Sequence, residues 1–254
     1  MDIQSAVADF LLEMEMFREW KDMRALAGAF ISHRNRHLTL PMAACQCVNG
    51  DPEQALSAMA AIACAQASII LIDDLLDDDP RGEYRRIGAA ATSNLAVAFQ
   101  AAAMESVMRD EATCSLSAKL AAVRALNEMM LTVAWGQYLD SQNPADEAAY
   151  WQVVRTKSAP FFSAALQIGA LLGGASLEQA EQIKSLGFVY GEMIQIHDDL
   201  HDSMAVPANT DWMLGRSPLP ILFAQVVDHP DRARFLDLRQ AVPDPDALAE
   251  AQTI

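Results

Sequence analysis

The chain has 254 residues, enough to bury a sizeable core. Its residues are 52% apolar but only 7% aromatic, rich in alanine, leucine and methionine, which favours helix over strand. The formal net charge of −16 argues against a nucleic-acid partner and against a polybasic membrane patch, so any anionic ligand needs a metal or a local cluster of bases.

Residues 2 to about 31 read as one long amphipathic helix, acidic enough to exclude an ordinary signal peptide. "SHRNRH" then forms a small basic loop. A short helix over about 38–48 stops at Asn49-Gly50, and Asp51-Pro52 starts another that runs to about Asp79 before Pro80 and Gly82. Further helices are expected at about 85–109, 115–142, 146–174, 177–203 and 219–228, with a weak C-terminal segment. The stretch "SMAVPANTDWMLGRSPLP" has three prolines and no helical period, so it is expected as a loop over something. No linker or short repeat divides the chain, which reads as one all-α domain over residues 1–254.

Two stretches, Ala55 to Ile72 and Ala159 to Leu177, carry no charge and approach the length of a membrane span. Their Ala, Gly and Ser content, with Gln66 or Gln167 inside, fits the central helices of a bundle better than a transmembrane segment. Cys45, Cys47, Cys64 and Cys114 form no CxxC pair and read as free thiols in a reducing, cytoplasmic setting.

The chemistry concentrates in two acidic runs. "DDLLDDD" places Asp73 and Asp77 one helical turn apart on one face, and "HDDLHD" does the same with Asp198 and Asp202. One such run alone is most simply a solvated helix end. Two runs, each following an apolar helix, can face each other and hold Mg²⁺ through oxygen ligands, with substrate phosphates completing the shell. His197 and His201 also lie four apart, which leaves a zinc or iron site as a weaker alternative.

With these spacings, DDxxD (Asp73, Asp74, Asp77) and QxxDDxxD (Gln195, Asp198, Asp199, Asp202) resemble the aspartate-rich motifs of the trans-isoprenyl diphosphate synthases, the polyprenyl synthetase family. "GQYLD" (Gly136 to Asp140), "KSAPFF" (Lys157 to Phe162) and "GRSPLPILFA" stand in the family's order, and the likeness covers about residues 33–225. The resemblance implies a helical bundle of the isoprenoid synthase type around a central cavity. It also implies an allylic isoprenyl diphosphate as substrate, three Mg²⁺ ions held by Asp73, Asp74, Asp77, Asp198 and Asp202, and a homodimer. Lys157 and Gln195 are the implied catalytic contacts. Arg34, Arg81, Arg85, Arg86, Lys157 and Arg216 are the candidate diphosphate-binding cations.

The chain departs from the family where the second substrate, isopentenyl diphosphate, is held. Arg34 falls at the lysine of GKRxRP, Asn35 replaces the next arginine, Gln66 stands at the upstream histidine, and the element after the first aspartates is shortened to "PRGEYRRIG". Such a first motif and shortened loop resemble the atypical prenyltransferases of moenomycin biosynthesis. The expected reaction is therefore ionisation of the allylic diphosphate followed by coupling to isopentenyl diphosphate or an atypical acceptor. A class I terpene cyclase is the alternative, and a non-catalytic partner subunit is a third reading that two intact motifs disfavour. Cys64, Ala65, Ser68 and Ile69 lie one and two turns before Asp73, where short-product members carry aromatic plugs, so a chain of C15 or longer is expected. Arg85 and Arg86 are equally explained as surface charges, and Phe161, Phe162, Trp135 and Trp212 fit core packing or shielding of the cation equally well.

Overall fold

The structure, a computed structural model, describes residues 3–32, 35–109, 114–206, 208, 210–242 and 244–254. Arg34 lies outside the described residues. Helices supply all the regular structure among the described residues.

The first expected helix is instead three: α1 (Ile3–Leu12), α2 (Glu15–Glu19) and α3 (Lys21–Ile31). The Arg18 guanidinium donates to the carbonyls of Leu12 and Glu13, both at 2.9 Å, satisfying acceptors that α1 exposes at its end. Met14, at the first corner, and Phe17 in α2 are buried in the core at 2% and 1% exposure. A 3-10 turn at Arg36–Thr39 leads to α4 (Leu40–Cys47), which ends at Asn49 in the left-handed region, φ 65. Asp51 and Gln54 then form a reciprocal capping box ahead of α5 (Leu56–Leu76).

α5 is apolar all round because every side of it is covered: α1, α3, α4, α7, α8 and α10 all pack against it. By length and composition the segment Pro52–Leu76 could cross a membrane, but most of it is buried among these neighbours. α5 stops at Leu76, three residues before the expected end. There Asp78 adopts φ 52 and the Asp79 N–H reaches back to the Asp74 carbonyl at 3.0 Å, a Schellman cap built on aspartate.

α6 (Tyr84–Ile87), α7 (Ala89–Met108) and α8 (Leu116–Asp140) follow, the last capped by the Ser115 hydroxyl. The expected helix over 146–174 is interrupted: α9 (Glu147–Val153) passes through a π turn at Val154–Ser158 into α10 (Ala159–Leu172). Pro160 accounts for this, since it has no N–H to give the Thr156 carbonyl and its ring crowds that turn. α11 (Leu177–Ser203) opens on the Ser176–Gln179 capping box and lies along α10. α12 (Thr210–Leu214), α13 (Leu219–Val226), α14 (Arg232–Gln240) and α15 (Pro245–Ala251) complete the described structure. They gather around a smaller core of Trp212, Ile221, Phe235, Leu238, Val242 and Ala251.

Candidate active site

The C-terminal ends of α5, α8 and α11 and the π turn converge on a cleft of about 250 Å³. Its lining includes Asp73, Asp77, Asp79, Arg81, Asp140, Tyr150, Lys157, Gln195, Asp199, Asp202, Asp211 and Arg216. The two aspartate runs therefore face each other across one space, with Lys157 between them in chain order as expected. Asp74, Asp198, Arg85 and Arg86 are outside this lining.

Lys157 is delivered by the π turn. Its Nζ donates to Asp140 Oδ2 at 2.5 Å and sits 3.1 Å from Asp73 Oδ1. Burial pulls the ammonium's pKa down, but the Asp73 and Asp140 carboxylates outweigh that and hold it above the usual lysine value. Gly136 permits this approach: a Cβ there would stand 2.2 Å from the Lys157 nitrogen, so α8 and the π turn touch backbone to backbone. Across the cleft, Arg216 Nη2 donates to Asp77 Oδ1 at 2.7 Å and lies 3.8 Å from Asp211 through Nη1.

Asp199 is set apart from its neighbours. It is buried at 7% exposure and accepts from the Tyr150 hydroxyl at 2.8 Å, the Leu219 N–H at 2.8 Å and Gln195 Nε2 at 2.7 Å. Gln195 in turn accepts from the Ser158 hydroxyl of the π turn. Burial raises the Asp199 pKa, against the pull of those three donors. Asp198, one residue earlier, is mostly exposed and lies 3.4 Å from His197 Nδ1.

The donor set fits a hard divalent cation. Asp73 Oδ1 is buried without a hydrogen-bond donor in line, although Lys157 is close enough for an ion pair. Burial raises its pKa, Lys157 opposes this, and Asp77 reinforces it. Asp74 is pushed up to about 6 by burial and by Asp79 and Asp73. Seven aspartates around a space with three cations, Arg81, Lys157 and Arg216, call for more positive charge. Among the described residues no three His, Cys, Asp or Glu side chains enclose an ion by themselves.

The remaining expected residues fall into distinct places. Arg81 lines the cleft while bridging to Asp79 at 2.7 Å. Arg85 pairs with Asp78, and Arg86 with Glu83 and Asp22, all on the outer surface. Cys64, Ala65 and Ser68 are buried along α5, and Ile69 is partly buried against the same core. At the other departure from the family pattern, Asn35 Nδ2 donates to Gln66 Oε1 at 2.6 Å and to the Phe30 carbonyl at 2.7 Å. Tyr150 and Asp211 are cleft residues that sequence reasoning did not single out. Tyr150 stands outside the motifs, and Asp211 lies in the proline-rich loop that offered no periodicity.

The polyprenyl synthetase family model matches residues 29–250. A short chain isoprenyl diphosphate synthase of Methanothermobacter thermautotrophicus is 26% identical over 216 residues, covering 79% of this chain and 66% of the relative. Geranylgeranyl pyrophosphate synthase 6 of Arabidopsis thaliana is 29% identical over 205 residues, covering 71% and 61%. The chain thus spans under two thirds of the length of these relatives. In fold it is similar to a Caulobacter crescentus polyprenyl synthase solved with calcium and isoprenyl diphosphate, at a TM-score of 0.79, 21% identity and 98% and 78% coverage. A Rhodobacter capsulatus decaprenyl diphosphate synthase gives a TM-score of 0.81 at 18% identity, with 99% and 81% coverage. Two opposed aspartate motifs on an all-α bundle, with a family match over most of the chain, lead to one conclusion: this chain belongs to the polyprenyl synthetase family.

Proposed function

We propose that the chain is a prenyltransferase that ionises an allylic isoprenyl diphosphate and couples the resulting cation to an alkene acceptor. The observation that carries this reading is the cleft itself, where carboxylates from both motifs surround Lys157 and Arg216. Asp73, Asp77 and Asp202, with Asp74 and Asp198 at the rim, are the proposed holders of three Mg²⁺ ions. Bound metal supplies Lewis-acid neutralisation of the charge that develops on departing pyrophosphate.

The chain's own residues do the rest. Lys157 and Arg216 turn from their carboxylates toward the diphosphate, Lys157 as an ammonium held charged by its neighbours and Arg216 as a planar, bidentate donor. Gln195, fixed between Ser158 and Asp199, orients the leaving group at the cleft wall. Asp199 holds α9, α11 and α13 in register rather than contacting metal. Arg81 is the one cation of the shortened loop proposed to reach the diphosphate; Arg34, Arg85 and Arg86 are secondary candidates. The allylic chain extends below Asp73 along Ile69, Ser68, Ala65 and Cys64.

The neutral Asn35–Gln66 pair favours an acceptor other than isopentenyl diphosphate, or cyclisation of the substrate on itself. A second diphosphate would meet an amide pair where the family likeness places an arginine and a histidine. A homodimer is proposed through the outer face of α8, where Leu116, Leu120, Leu131, Trp135 and Tyr138 are all exposed. Incubation with C10, C15 and C20 allylic diphosphates and Mg²⁺, with and without isopentenyl diphosphate, followed by mass spectrometry, tests the reading. Extension by five carbons supports elongation; a hydrocarbon or alcohol from the allylic substrate alone supports cyclisation; no consumption of any substrate overturns it.

A further inference from the structure

Arg216 does not stand on a rigid element. It follows α12, a helix of five residues, at a Schellman turn in which Gly215 takes φ 73 and the Arg216 N–H reaches the Asp211 carbonyl at 3.0 Å. So short a helix is not stable by its own hydrogen bonds, and its last carbonyls need outside donors. One side chain, remote in sequence, provides them. Arg239 on α14 donates through Nη1 to the Trp212 carbonyl at 2.7 Å, and through Nη2 to the carbonyls of Arg216 and Asp211. Its guanidinium also lies over the Trp212 ring, 5.1 Å from the centroid. Trp212 in turn donates to the Ser203 carbonyl at 3.1 Å, immediately after Asp202.

We infer that Arg239 is a positioning residue for diphosphate binding: it closes the 211–216 turn so that Arg216 is aimed into the cleft before substrate arrives. Two features support this over plain structural filling. The guanidinium bridges both ends of the turn, residues 211–212 and residue 216, through two nitrogens held apart in one plane, a spread that a lysine's single ammonium does not reproduce. The turn it closes carries two groups that line the cleft, Asp211 and Arg216. Preorganising the turn removes an ordering cost from binding, so its loss weakens substrate affinity more than the chemical step. The inference rests on the proposed diphosphate role of Arg216.

The test is calorimetric binding of inorganic pyrophosphate with Mg²⁺ to wild type, Arg239→Lys, Arg216→Gln and the double variant. Thermal midpoints are measured on each, and KM and kcat are measured with farnesyl diphosphate. Arg239→Lys keeps the charge, and its affinity is expected to fall about tenfold, the scale of a lost hydrogen bond to a charged group. KM should rise by a similar factor while kcat falls less than threefold by the same reasoning. Arg216→Gln should weaken binding by itself, and adding Arg239→Lys to it should change nothing further. Wild-type affinity in Arg239→Lys, or a loss that adds fully to that of Arg216→Gln, overturns the inference while leaving the diphosphate site intact. No binding by wild type overturns both. If Arg239→Lys does not fold, Arg239→Gln is put through the same cycle with the same criteria.

Discussion

The two aspartate runs share their spacing but differ in what the helix beneath them does. α5 ends at Leu76, so its run turns the corner: Asp73 and Asp77 face the cleft, Asp79 lines its edge while paired with Arg81, and Asp78 turns outward to Arg85. α11 continues to Ser203, so its run stays helical and fans out by 100° per residue. Asp198 points to solvent, Asp199 is buried under three donors, and Asp202 lines the cleft. Equal motifs thus give a run whose cleft carboxylates are paired with cations on one side, and on the other a cleft carboxylate beside a buried one held by three donors. A carboxylate's role here follows from where its helix stops.

The largest expected effect breaks the first run. Asp73→Asn removes a buried oxygen with no donor in line, and turnover of an allylic diphosphate should fall more than about a hundredfold. The thermal midpoint should barely move, because a carboxylate repelled by its neighbours contributes little to folding. Steady-state turnover beside a melting curve checks both, and retained turnover would remove Asp73 from the metal site.

The second run is expected to split between adjacent residues. Asp199→Asn places an amide where three donors converge and should lower stability by about 2–4 kcal/mol, read by urea unfolding. Asp198→Asn, at an exposed position, should leave the unfolding midpoint unchanged while reducing turnover through its proposed rim contact with metal. Equal loss of stability in both variants would erase the distinction between the runs.

A pH series gives a smaller effect. Burial, Asp79 and Asp73 raise the Asp74 pKa to about 6, above its unfolded value. The sign is that of a carboxyl stabilised when protonated: the contribution is present in acid and lost as pH rises through about 6. In chelator the melting temperature should therefore rise on going from pH 7.5 to 5.5, and Asp74→Asn should flatten that slope. Added Mg²⁺ should reverse it, since the metal favours ionised ligands. A slope unchanged in Asp74→Asn would assign the titration to another group.

The smallest effect is one of preference. Ser68→Phe adds a ring to a buried position of α5 below Asp73 and should lower kcat/KM for farnesyl relative to geranyl diphosphate by about tenfold. Overpacking should cost about 1–3 kcal/mol of stability as well. An unchanged ratio in a folded variant would move the chain away from this face of α5.

Much of this architecture was legible because local chemistry announces it. Asn49-Gly50, the Asp51 and Ser176 caps, and the uncharged run of α5 each act within a few residues. The early break between α1 and α2 was not, because the donor that ends α1 is an arginine six residues on, indistinguishable in sequence from any surface charge. The motif aspartates were found by spacing, and spacing cannot separate Asp198 from Asp199. What separates them is Tyr150 and Leu219, brought in from other helices. Arg216 was suggested by likeness, but its pairing with Asp77 across 139 residues is a product of the fold.

The π turn at Val154–Ser158 has a consequence for how this helix can vary. One surplus residue per turn shifts everything downstream by about 100° relative to an unbroken helix. Tyr150, upstream, is phased to meet Asp199, whereas Phe161 and Phe162, downstream, are phased to the core. Lys157 occupies the slip between the two phases. Substitution can alter either half while the other keeps time, but removing a single residue from the turn would rotate one half against the other. The segment should therefore tolerate changes of residue type far more readily than any change of length.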